Sequence, residues 1–267
     1  MRAWIGALAA GGALLGGTAA HAAAGRVVSL DSCADQYVVA LADPAQIAGV
    51  TARADDADSW MRARARSVRV VRPSLESLLA VRPDVVVRYW GGDPRLMRAL
   101  ERRGVRVVQL DDAVDFEGVR TNVRRVAQGV GREGAGEALL REMDADLDAS
   151  AGAWKGRSAL YVTSGGYTAG KGTLIDAMLT AAGLANAAPG GSFAPISLER
   201  LVLAPPALFV KGFYDSRRAD RRGPGRSRVL ERLSRGRTAA SLPGAMLSCP
   251  GWFAAKGSRA LAERAPR

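Results

Sequence analysis

Three stretches of this sequence have spacings that could carry out chemistry. Gly165-Gly166-Tyr167-Thr168-Ala169-Gly170-Lys171 has the G-x-x-x-x-G-K spacing of a phosphate-cradling loop. That loop needs Ser or Thr next, to hold magnesium, and Gly172 stands there instead. The run is therefore read as a loop after a strand that presents the ring of Tyr167. The neighbouring acids Asp55-Asp56 and Asp111-Asp112 could serve acid–base catalysis if a pocket shifted their pKa values. Adjacent acids on a loop are ordinarily just solvated, so no catalytic residue is assigned. An exported carboxylate-dependent hydrolase stays as an alternative from a different class.

The single histidine, His21, sits in a leader. Arg2, the apolar run Ile5 to Ala20, and Ala20-His21-Ala22 give the basic, apolar and A-x-A parts of a secretory signal peptide. Residues 1–24 are assigned to it, with cleavage near Ala22 or Ala24. No cysteine lies there, so a lipid anchor is not expected. The mature chain then has no histidine, which excludes Ser-His-Asp and Cys-His nucleophiles and every His-ligated metal site. Two cysteines, Cys33 and Cys249, cannot make a four-ligand zinc site. In an oxidising compartment they either pair, stapling two loops beside one cleft, or stand as two free thiols near a ligand. No cofactor and no protein-held metal are expected.

With 38 Lys and Arg against 26 Asp and Glu, the formal charge is +12 over 267 residues. Net charge alone identifies no partner. The aromatics are more informative, because Trp60, Tyr89, Trp90, Tyr167, Tyr214 and Trp252 fall in or beside predicted loops, mostly just after strands. Such rings suit a bulky planar or amphipathic ligand. Arg217, Arg218, Arg221 and Arg222 form a basic run. From it Arg217 is taken as the one ligand contact, able to meet carboxylate or catecholate oxygens.

The elements that must position these residues alternate between strand and helix. Arg26 to Leu30, Val85-Val86-Val87 and Val105 to Leu110 read as buried parallel strands. Asp31 to Asp35 reads as the turn after the first, with a helix from Gln36. Phe116 to Leu147 is mostly helical, interrupted at Gly129 to Gly136. A second region repeats the scheme with Ala159 to Val162, a turn at Thr163 to Gly172, a helix from Thr173, and Leu208-Phe209-Val210. Ser74-Leu75-Glu76 echoes Ser197-Leu198-Glu199 at an offset of 123 positions, and Pro83 matches Pro206 in the same register. The reading is α/β: two Rossmann-like lobes with mostly parallel sheets, joined by a long helix. The lobes take residues 25–115 and 156–267, and the connecting segment takes 116–155.

The sequence resembles the iron-siderophore/cobalamin family of periplasmic binding proteins over essentially the whole mature chain. The resemblance rests on Cys33-Ala34-Asp35-Gln36, Trp90-Gly91-Gly92, Gly104 to Val108 and Tyr167 to Gly172. It rests also on the two Ser-Leu-Glu segments and on Ser248-Cys249-Pro250-Gly251-Trp252-Phe253. It implies a rigid bilobed fold and a metal chelate, ferric siderophore or corrinoid, held between the lobes. It places ligand contacts at Tyr89, Trp90, Tyr167 and Trp252. Glu76 and Glu199 would pair with arginines of an inner-membrane ABC permease. A monomer that binds no nucleic acid is expected. A non-transport module on the same fold is the third reading.

Overall fold

Most helices start where a short polar side chain can accept from their free N–H groups. Asp31, Ser74, Asp93, Asp115, Thr173, Ser197 and Ser227 all do so. The computed structural model describes residues 25–216 and 222–266. The assigned leader, with Arg217, Arg218 and Arg221, lies outside the described residues.

The first sheet is built from β1 (Val27–Ser29), β2 (Ile47–Gly49), β3 (Val85–Arg88) and β4 (Arg106–Gln109). Its order is β2-β1-β3-β4, all parallel. The helices between are α1 (Ser32–Leu41), α2 (Arg62–Ala65), α3 (Leu75–Val81) and α4 (Pro94–Glu101). The second half contains β5 (Arg157–Thr163), β6 (Tyr167–Ala169), α7 (Leu174–Ala181), β7 (Leu184–Asn186) and β8 (Phe193–Pro195). It continues through α8 (Leu198–Leu203), β9 (Leu208–Gly212), α9 (Arg228–Ser234), β10 (Thr238–Leu242) and α10 (Ala254–Ala262). Its sheet is β10-β9-β5-β7, again all parallel, and β6 with β8 forms a separate antiparallel ribbon.

Read from its other edge, the second sheet is the first one repeated, β7-β5-β9-β10 against β2-β1-β3-β4. Register sustains the match: Val27 pairs Val85 in one sheet and Ala159 pairs Leu208 in the other. Leu208 keeps the 123-position offset of the Ser-Leu-Glu segments from Val85, whereas Ala159 stands 132 positions after Val27. The echo is therefore a repeated α/β unit, with the β6–β8 ribbon added to the second copy.

The connecting segment is two helices, α5 (Phe116–Gly129) and α6 (Glu133–Ser150), and the break falls within the glycine-marked stretch. They pack closely, because a Cβ on Gly136 would lie 2.6 Å from the Ala127 Cβ. Val119, Val123 and Val126 of α5 and Leu140 and Met143 of α6 join one core that runs through both halves. From α10, Lys256 and Arg259 reach the buried Asp146 of α6 at 3.0 Å each. Among the described residues no helix is long and apolar enough to cross a membrane.

Two expected boundaries shift. The segment read as a turn from Asp31 to Asp35 is already helical from Ser32, because the Asp31 carboxylate accepts from Cys33 N and Ala34 N. The expected turn at Thr163 to Gly172 contains β6, which forms by pairing with β8 well downstream.

Candidate functional site

Parallel strands deliver their following loops to one edge of a sheet, and ligands bind beyond that edge. Here the loops after β3 and β4 face those before α7, before β8 and after β10. Between them lies a cleft of about 360 Å³. Tyr89, Asp112 and Val114 form its wall on the first half. Thr173, Ser192 and Phe193 form the facing wall, and Leu247 to Pro250 close its base.

The first wall is fixed by Asp31. Its Oδ1 caps α1, and its Oδ2 accepts from the N–H groups of Tyr89, Trp90 and Gly91 at 2.7, 3.1 and 2.9 Å. Asp31 is buried, so these charge-assisted bonds are shielded from water. Gly91 is required there, since a Cβ would come within 2.1 Å of the Leu30 carbonyl oxygen. Gln109 Nε2 donates to the Tyr89 carbonyl at 2.7 Å, and the Tyr89 hydroxyl donates to Asp112 Oδ1 at 2.7 Å. Burial, then the hydrogen bond to Asp112 and its charge, raises the Tyr89 phenol above its ordinary pKa. Tyr89 is therefore a neutral ring and a hydroxyl donor at neutral pH.

The facing wall begins at Thr173, which caps α7 and donates to the Gly170 carbonyl at 2.8 Å. The Gly172 N–H is taken by Asp176 Oδ2 at 3.0 Å. A carboxylate thus sits where a phosphate cradle would need a free donor, which removes the nucleotide reading of Gly165 to Gly172. Phe193 is 62% exposed and Val114 49%, one apolar face on each wall.

At the base the halves are tied together. Cys33 and Cys249 form a disulfide with Cα atoms 5.4 Å apart. The Tyr37 hydroxyl donates to the Pro250 carbonyl at 2.6 Å, and Ser248 Oγ donates to the Asp58 carbonyl at 2.7 Å. Trp60 stacks on Phe253, ring centroids 5.8 Å apart. These ties cross between halves and join the shared core, so the cleft has rigid walls rather than a free hinge.

The structure separates the expected ligand residues. Tyr89 lines the cleft. Trp90 and Tyr167 are about half exposed and lie outside its lining. Trp252 is corrected: its ring is buried, edge-on to Tyr37 at 5.4 Å, and presents no face to a ligand. Trp60 is likewise a packing ring, held against Phe253. Tyr214 donates to the Gly225 carbonyl at 2.6 Å, with the Arg226 guanidinium 5.0 Å over its ring. Its ring is thus held by Lys211 of β9 and by residues 225–226. Arg217 lies outside the described residues. Glu76 and Glu199 are exposed in the first turns of α3 and α8. The acids do not pair: Asp111 bonds Arg125 at 2.7 Å, Asp112 takes Tyr89, and Asp56 bonds Arg53 at 3.2 Å.

Sequence reasoning missed Asp31, Val114, Thr173 and Phe193. The glycine-rich approach Pro189-Gly190-Gly191-Ser192 before Phe193 was the available signal. Among the described residues no group of three or more Cys, Asp or Glu is placed to hold a metal ion.

The family model described as periplasmic binding protein matches residues 27–245. No curated protein sequence matches the chain. Solved structures do. A periplasmic heme-binding protein of Pseudomonas aeruginosa is 25% identical, with 90% of this chain and 92% of that one covered, at TM-score 0.62. The heme-binding protein RhuT of Roseiflexus sp. RS-1 is 21% identical, covering 91% and 100%, at TM-score 0.68. The vitamin B12 binding protein BtuF of Vibrio cholerae is 13% identical, covering 90% and 95%, at TM-score 0.61.

Proposed function

The chain belongs to the periplasmic binding protein family, and from that premise we propose that it is the substrate-binding subunit of an ABC importer. It captures a preformed metal chelate between its two halves and hands it to a permease without making or breaking a bond. The observation that carries this reading is the rigid cleft with one apolar face on each wall, Val114 and Phe193, and the Tyr89 ring between strand end and solvent. A planar or amphipathic chelate fits such walls. The similar structures bind heme and vitamin B12, which are metal chelates of that kind.

The chelate brings its own metal donors. Tyr89 offers a hydroxyl and Asp112 a carboxylate, and neither belongs to a cluster that could strip a metal from its ligand. A chelate larger than the cleft extends toward the exposed rings of Trp90 and Tyr167, which we assign as outer contacts. Ferric siderophores, corrinoids and heme are the candidate cargoes. The dispersed acids speak against a carboxylate-dependent hydrolase, which needs two carboxylates facing one bond.

Docking is assigned to Glu76 and Glu199. They stand at matched positions on the repeated unit, exposed, one on each half. Two charges at opposite ends of a face fix orientation against a partner of opposite charge. The test is uptake in the cell that makes the protein. Deleting the gene should abolish growth on one chelate as sole source, and the wild-type gene should restore it. A gene carrying Glu76→Ala with Glu199→Ala should not restore it, although the purified variant binds the chelate normally. Growth of the deletion strain on every chelate would overturn the import reading.

A further inference from the structure

A second cavity, of about 430 Å³, lies on the face of the second sheet that α8 and α9 cover. Leu160 of β5, Ile196 and Leu201 form its apolar walls. The repeat explains why it exists. In the matched register, Ser158 of the second half stands where Arg26 stands in the first, and Ala204 stands where Val81 does. In the first half Val81 fills the space beneath the helix, and Arg26, itself exposed, bonds to its carbonyl. Arg26 Nε donates to the Val81 carbonyl at 2.8 Å, and Val81 is buried in the core beside Leu78. In the second half both side chains are cut back, so the equivalent space stays open to a ligand.

Thr168 of β6 lines the cavity and is buried, and its Oγ1 has no hydrogen-bond partner among the described residues. Arg200, on α8, adds the charge. It lines the same cavity, is exposed, and makes no ion pair among the described residues. An apolar body with few placed polar groups is the composition of a small-molecule site.

We propose that this cavity is a second ligand site, separate from the interlobe cleft, for a compact apolar carboxylate. The hydrocarbon body lies between Leu160 and Leu201, and the carboxylate meets Arg200. The site does not depend on the import reading.

Calorimetric titration of the full mature chain with octanoate and with octan-1-ol tests it. One equivalent of octanoate should bind the wild type. Ser158→Arg with Ala204→Val, which rebuilds the residues of the first half, should weaken octanoate at least tenfold. Arg200→Gln should weaken octanoate five- to tenfold and leave octan-1-ol unchanged. If the double variant melts abnormally, the Arg200→Gln comparison decides. No octanoate binding by the wild type, or equal binding by a folded double variant, overturns the site. Equal loss of both probes in Arg200→Gln overturns the carboxylate assignment.

Discussion

Asp31→Ala should unfold the first wall of the cleft while removing only one side chain. Five backbone N–H groups converge on that carboxylate, two from the start of α1 and three from residues 89–91. Losing the helix cap costs about 1 kcal/mol. Each of the three loop N–H groups, left part-buried and unpaired, costs about 1 kcal/mol at the low end of the range. The expected loss is about 4 kcal/mol, a large share of a typical 5–15 kcal/mol stability. With a urea slope of about 2–3 kcal/mol/M, the unfolding midpoint should fall by about 1.3–2 M. Asp31→Asn keeps one oxygen, which can serve the cap or the loop but not both, and should lose roughly half as much. Hydrogen exchange should locate the effect, with the amides of Tyr89, Trp90 and Gly91 losing protection. A midpoint within about 0.3 M of wild type for Asp31→Ala, with those amides still protected, would refute the reasoning.

The disulfide and the buried Asp35 give two further expectations. Cys33 and Cys249 are 216 residues apart, so in the chain-entropy model replacing both by Ser should cost about 5 kcal/mol, read as a lower urea midpoint. Mass spectrometry of the unreduced protein should find no alkylated cysteine, and two alkylated thiols would contradict the pairing. Asp35 is pushed up to about 6, first by burial, against the hydrogen bonds from Ser29 and Thr51. A carboxyl whose folded pKa lies above its unfolded value stabilises when protonated, so stability should decline as pH rises from about 4 through 6 and level off above, by about 3 kcal/mol. Asp35→Asn should flatten that slope in thermal melts at pH 4, 5, 6 and 7, and an unchanged slope would show that another group carries it.

Local physics made much of the fold readable. Ser74 and Ser197 cap helices because a hydroxyl before an apolar run accepts from the first turn, and that pattern is visible in any sequence. Val85-Val86-Val87 lies at the centre of its sheet, buried on both faces, so its composition matched its place. The same local signals failed at Asp31, since an Asp after a strand suits a turn and an N-cap equally well. Only the distant loop 89–91, brought alongside by β3, shows its second role. The assignment of Trp252 failed for a related reason. Position after a strand places Tyr89 and Trp252 near the cleft but does not say which way a ring points. Tyr37 and Phe253 turn Trp252 inward. β6 was hidden because its partner, β8, lies well downstream, and ribbon pairing leaves no signal in a glycine-rich segment.

The account stands or falls on whether a metal chelate occupies the cleft between Val114 and Phe193. Dissociation constants for a panel of heme, cobalamin and ferric siderophores should be measured on the wild type, on Phe193→Ala and on Val114→Arg. One chelate should bind the wild type in a single equivalent. Phe193→Ala should weaken it by about 1–2 kcal/mol, five- to thirtyfold, through lost apolar contact. Val114→Arg should weaken it further by filling the cleft with a charged chain, while both variants keep the wild-type melting temperature within a few degrees. A chelate bound equally well by all three proteins would place the ligand elsewhere and contradict the account.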